Sequence, residues 1–197
     1  RILNFTAKLG PRRVIELIQR RLNKTKDELR QQVQDQKPLC TMVNRRRVEH
    51  RVELFHVLND GLGVVSAGSL LNNTDIEVPW GWDHLRKFES EYTLALVTEN
   101  LRKPGYTTEK VFNALLAGTI PIYLGDPDVS EHFNTDAFIN WEDFESDQAM
   151  LEHVQEVAEN EDLQMRYLMQ PMVLDRHMDG IHEPTQYEEA VNEAKSL

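Results

Sequence analysis

The 197-residue chain predicts an α/β fold, a Rossmann-like parallel sheet with helices on both faces. Three observations lead there. Short β-branched, apolar runs alternate with stretches of helical periodicity across most of the chain. The segment 92–125 reads strand, loop, helix, strand with no residues to spare, a βαβ unit whose crossover is right-handed in a parallel sheet. The length suffices for one well-buried α/β domain, with 40% hydrophobic residues to fill it.

Taken in order, residues 1–11, with Gly10-Pro11, read as loop. Residues 12–36 read as one helix, carrying Val14, Leu17, Ile18, Leu22, Leu29 and Val33 at mostly helical spacing and ended by Lys37-Pro38. Residues 39–43 make a first strand. A polar loop runs over 44–51, and 51–58 is a short amphipathic helix. Residues 63–66 form a strand, 68–82 a loop and 83–89 a short helix. Trp80 and Trp82 lie on that loop, either packing it against the core or offering rings to a sugar or base.

The central unit opens with the strand 92–98 and a polar loop, 99–106, that turns at Pro104-Gly105. Thr107 or Thr108 caps the next helix, Val111, Phe112, Leu115 and Leu116 form its apolar face, and Gly118 ends it. The strand 120–124 follows. Beyond it come a loop over 126–136, a strand at 137–141, and helices at 146–160 and 161–170 closed by Pro171. Residues 172–197 are acidic and weakly patterned.

Asn100, Tyr106, Glu109 and Lys110 fall in the loop or first helical turn of the central unit, beyond the carboxyl end of a strand, where ligands of such sheets bind. A helix N-terminus with its unpaired N–H groups, reinforced by Lys110, suits a phosphate. Glu109 suits a hydroxylated part of the same ligand. The plainer alternative is that Glu109 and Lys110 are ordinary solvated first-turn residues.

Several motifs together resemble a known family. Glu99-Asn100, Gly105-Tyr106-Thr107-Thr108-Glu109-Lys110, Asn113-Ala114, Gly118, Pro121, Gly125 and Pro127-Asp128-Val129 are similar to the donor-site signature of the α1,3/4-fucosyltransferases, and Phe138-Ile139-Asn140 and Asp143-Phe144 to its downstream pattern. The resemblance spans about residues 44–144. Thr98 stands where the family usually has Phe, Leu101 where it has Ser, and Thr107 where it has Val.

The resemblance implies one half of a two-domain GT-B glycosyltransferase. Residues 1–37 would be a basic helix or linker from an N-terminal acceptor domain outside this sequence, 38–170 the Rossmann-like GDP-sugar-binding domain, and 171–197 an acidic tail. It implies inverting transfer of fucose from GDP-fucose to a hydroxyl of an acceptor glycan. Arg51 would contact the pyrophosphate, with Arg45, Arg46 and Arg47 competing for that role. Lys110 would join it on the leaving charge, Glu109 would hold fucose hydroxyls, and Asn100 and Tyr106 would orient the ribose or sugar. Arg suits a diphosphate through its planar fork of donors. No metal is required, with Mn²⁺ a stimulating ion and not a tightly held one. The general base would lie on the acceptor domain, with Glu99 a weak substitute. The alternatives are a GT-B transferase using another nucleotide sugar, or a truncated module that binds a nucleotide sugar without turnover. The family places such enzymes on the lumenal side of Golgi membranes through an anchor outside this sequence, or in the cytoplasm of bacteria.

Charge is split. Residues 1–51 carry 14 Lys/Arg against 5 Asp/Glu, and residues 142–197 carry 3 against 15, so the net of −11 is concentrated in the tail. No nucleic-acid module accompanies the basic start, and the acidic tail argues against a polyanion partner. No stretch is long and apolar enough to span a bilayer. The single Cys40 makes no internal disulfide and reads as a buried strand residue. Asp126-Pro127-Asp128 is a D-x-D, which holds a divalent ion in other glycosyltransferases, but here it sits at the family's G-x-P-D-V position. His177 and His182 are five apart and share no helical face, so zinc is not expected. Asn4, Asn23 and Asn72 head glycosylation sequons, mild support for a secretory-pathway lumen.

Overall fold

Residues 23–131 and 133–172 are described in the computed structural model of the chain. The first helix, α1 (Lys26–Asp35), begins at a reciprocal cap: the Thr25 hydroxyl accepts from Glu28 N, and the Glu28 carboxylate accepts from Thr25 N at 2.8 Å. Of the single helix expected over 12–36, the structure thus describes a part that starts at Lys26, and residues 12–22 lie outside the described residues. Leu29 and Val33 of α1 pack into the main core, so the folded domain starts ahead of residue 38.

Strand β1 (Lys37–Met42) contains Pro38, which was expected to mark the end of a helix. Its ladder to β3 (Tyr92–Thr98) shifts register between Lys37 and Cys40, and Pro38 occupies that irregularity, where its missing N–H does no harm. There follow α2 (Glu49–Gly61), β2 (Val64–Ser66) and α3 (Trp82–Glu89), then β3, α4 (Glu109–Ala117) and β4 (Ile120–Leu124). β5 (Ile139–Asn140) has only two residues, because 3₁₀ turns at Thr135–Ala137 and Trp141–Asp143 consume the rest of the expected strand. The chain then forms α5 (Asp147–Glu159) and α6 (Glu161–Leu168).

Among the described residues five strands form one all-parallel sheet, in the order β2-β1-β3-β4-β5. Period-two alternation between two covered faces explains why β3 is buried throughout. Leu94 and Leu96 face a core shared with α1, α2, α5 and α6, whereas Ala95 and Val97 face a second core under α4. Cys40 is fully buried in the first core as expected. The chain runs outward from β1 to β2 and then returns across β1 to β3. The strand order thus reverses between β1 and β3, and in sheets of this kind the ligand crevice lies outside the carboxyl ends at such a reversal.

Candidate functional site

The loops after β1 and β3 meet at this crevice through Arg51, near the start of α2. Arg51 is 1% exposed. Its Nε donates to the Thr98 hydroxyl at 2.6 Å, Nη2 to Thr98 O at 2.9 Å and to Asn100 Oδ1 at 3.0 Å, and Nη1 to Arg46 O at 2.6 Å. Burial lowers its pKa from the usual value, while the Glu99 carboxylate opposes that fall. The expected direct contact of Arg51 with a diphosphate is not what this geometry offers: protein acceptors hold the guanidinium, which fastens Asn100 and the Arg46 backbone to each other. With Oδ1 so held, the Asn100 Nδ2 has no protein acceptor among the described residues.

On the far side stands the N-terminus of α4. Thr108 occupies the N-cap position, yet its side chain does not cap the helix. Its hydroxyl and backbone N instead donate to Glu99, whose carboxylate is wholly buried. Lys110 Nζ donates to Glu99 Oε2 at 2.7 Å and to the Thr108 hydroxyl at 2.9 Å. One ammonium donor of three remains, on a side chain 26% exposed. Glu99 is therefore an anchor for the start of α4. Its suggested use as a substitute base fails, because both oxygens are buried and engaged. His50 adds to the anchor, its ring nitrogen donating to Glu99 O at 2.9 Å. Gly125 permits the packing, since a Cβ there would lie 2.5 Å from Glu99 Cγ. Glu109, half-buried, makes no side-chain bond among the described residues, and neither does the Tyr106 side chain.

Of the competing arginines, Arg46 and Arg47 are exposed. Arg45 bonds Val78 O, faces the Glu77 carboxylate at 3.5 Å, and lays its guanidinium 4.2 Å from the centre of the Trp80 ring. Trp80 is 80% exposed, so it does not pack its loop against the core. Asp126 also departs from the metal reading. Its carboxylate accepts from Gly105 N, Asp128 N and the Thr107 hydroxyl, and Asp128 points to solvent. Among the described residues no group of three His, Cys, Asp or Glu converges. A cavity of about 410 Å³ lies elsewhere, beside β5 around His153 and Tyr167.

Comparison with known proteins decides the family. Residues 32–172 match the C-terminal region of glycosyltransferase family 10 (fucosyltransferase), well over half of the chain. The chain belongs to glycosyltransferase family 10. A putative fucosyltransferase of Acanthamoeba polyphaga mimivirus is 30% identical over 154 residues, covering 73% of this chain and 26% of that protein. The mouse 4-galactosyl-N-acetylglucosaminide 3-alpha-L-fucosyltransferase 9 is 28% identical over 135 residues, 67% of this chain and 36% of that enzyme. A crystal structure of an α1,3-fucosyltransferase with GDP-fucose superposes with a TM-score of 0.65 at 25% identity, covering 72% of this chain and 40% of that one. The family 10 chain thus spans about a quarter to two fifths of the length of these relatives.

Within this family 10 domain, Arg51 binds Asn100 and Lys110 binds Glu99, so the loop after β3 joins the start of α2 to the start of α4. The contributions of Thr98, Glu99, Thr108 and Asp126 were not read from sequence. Each acts on a partner far along the chain or across a strand end, and no local spacing announces that. The uncapped N-terminus of α4 is likewise a tertiary fact, because Thr108 is a suitable cap by residue type.

Proposed function

We propose that this chain is the donor-binding part of an inverting fucosyltransferase that takes fucose from GDP-fucose to a hydroxyl of an acceptor glycan. The observation that carries this reading is the open first turn of α4, with Lys110 in it, joined through the Glu99-Asn100 loop to Arg51 at the start of α2, ahead of which Arg46 and Arg47 are exposed. Family membership and the likeness to an enzyme crystallised with GDP-fucose support the choice of donor.

In the reaction, the acceptor oxygen attacks the anomeric carbon, the bond from that carbon to the diphosphate breaks, and GDP leaves with the electron pair. Negative charge grows on the diphosphate. Lys110, Arg46, Arg47 and the first-turn N–H groups face that charge, and losing one such donor costs about 3 kcal/mol of transition-state stabilisation. The free Glu109 carboxylate holds hydroxyls of the donor and favours the cationic sugar ring. Tyr106 and the Asn100 amide orient the ribose or sugar. Arg51 acts through Asn100. The acceptor's proton goes to a base outside the described residues, on the acceptor domain of the full-length protein. The donor binds without a tightly held metal, since side-chain cations supply the positive charge. A lumenal Golgi setting rests on the likeness to mammalian members.

Calorimetry with GDP and UDP tests this. GDP is expected to bind more tightly than UDP, and Lys110→Ala to weaken GDP at least tenfold. Unchanged GDP affinity in Lys110→Ala refutes the site, and a preference for UDP refutes the donor.

A further inference from the structure

Asp126 is 2% exposed at the tip of β4, and the mechanism above does not use it. Its Oδ1 accepts from Gly105 N at 2.8 Å and from Asp128 N at 2.9 Å, and its Oδ2 accepts from the Thr107 hydroxyl at 2.6 Å. The two residues flanking Tyr106 are therefore tied to one carboxylate. That carboxylate is itself anchored, because Asp126 N donates at 3.0 Å to the hydroxyl of the wholly buried Tyr123. Gly105 has φ +74°, a conformation that would strain a side chain, and Tyr106 N closes the turn on Lys103 O at 3.0 Å. The turn is thus held from both ends while the Tyr106 ring stays half-buried with no side-chain partner among the described residues.

We propose that Asp126 is a positioning residue for the donor: by clamping Gly105 and Thr107 it fixes the Tyr106 ring at the mouth of the crevice. Thr107 is one of the places where this chain departs from the family resemblance. A valine there would leave Oδ2 buried without a partner, so the hydroxyl and the carboxylate work as a pair. The clamp sets where the ring stands before the donor arrives, which lowers the ordering cost of binding. It rests on the reading that the 99–108 loop meets a nucleotide sugar.

The test uses the full-length protein and GDP-fucose, with dissociation constants, the KM of donor and of acceptor, and thermal midpoints. Thr107→Val is expected to raise the donor KM and dissociation constant about tenfold with the acceptor KM unchanged. Tyr106→Ala is expected to give a similar loss, and the Thr107→Val/Tyr106→Ala double variant no further loss, because both act through the ring. Asp126→Asn is expected to retain near-normal donor binding, since its oxygen still accepts from Gly105 N and its amide donates to the Thr107 oxygen; a tenfold loss there would overturn the clamp. A lower thermal midpoint in Thr107→Val with unchanged donor affinity overturns the proposal, as do additive losses in the double variant. Absence of GDP-fucose binding by the wild-type protein overturns the donor reading itself, and the clamp with it.

Discussion

Glu89 shows what one side chain can impose on the whole chain. It lies on α3, buried at 7% exposure, with Oε2 lacking a hydrogen-bond partner among the described residues. Burial pushes its carboxyl up to about 8, although Arg86 pulls it down. Between the ordinary carboxylate range and pH 8 the folded protein holds a proton there that the unfolded chain has released. Stability from this group is therefore fully present at low pH and falls as pH rises toward 8, by a few kcal/mol in order of magnitude. Glu89→Gln is expected to flatten that slope. Urea unfolding of both proteins at pH 5 and pH 8 checks it: an equal loss in wild type and variant shows that Glu89 is not the source. At the same scale, the family motif singled out Asn100, Glu109 and Lys110 in the sequence as candidates for the donor. It did not reveal that Thr98 and Thr107, read as departures, contribute hydroxyls that bind Arg51 and Asp126. A hydroxyl's partner 47 or 19 residues away leaves no local trace.

Among the elements, α4 was the most legible and α1 the least. The boundaries of β3 and β4 follow from their apolar runs, and Gly118 ends α4 at φ +83° as its residue type suggests. The same Gly118 ties α1 to the central unit, since Gln32 and Gln36 both donate to its carbonyl. A Cβ at that position would lie 3.0 Å from Gln32 Nε2 in a strained conformation. Gly118→Ala is expected to cost about 1–2 kcal/mol, read as a lower midpoint in denaturant; no change would show that α1 gives way freely. The overlong first helix had a local cause. Thr25 and Glu28 spell a capping box inside a run of helical periodicity, and periodicity alone cannot see a cap. β1 was misjudged at its start because Pro38 is tolerated only through a shift in register, which depends on β3.

At the scale of the molecule, sequence established the class and the βαβ unit, but not the order of the strands. Which neighbour β1 takes on each side depends on how helices cover two apolar faces, a matter of packing between segments far apart in the chain. That order sets Cys40 in β1 with a strand on either side. Its thiol has no exposed surface, and burial pushes its pKa up to about 12. This chain therefore carries a built-in chemical clock, since Cys40 is the one cysteine of its 197 residues. Alkylation by iodoacetamide is expected to stop while the sheet stays closed and to proceed at the pace of its opening. Saturating GDP is expected to slow that modification; rapid labelling in native buffer would mean that β1 separates from β2 or β3 without global unfolding.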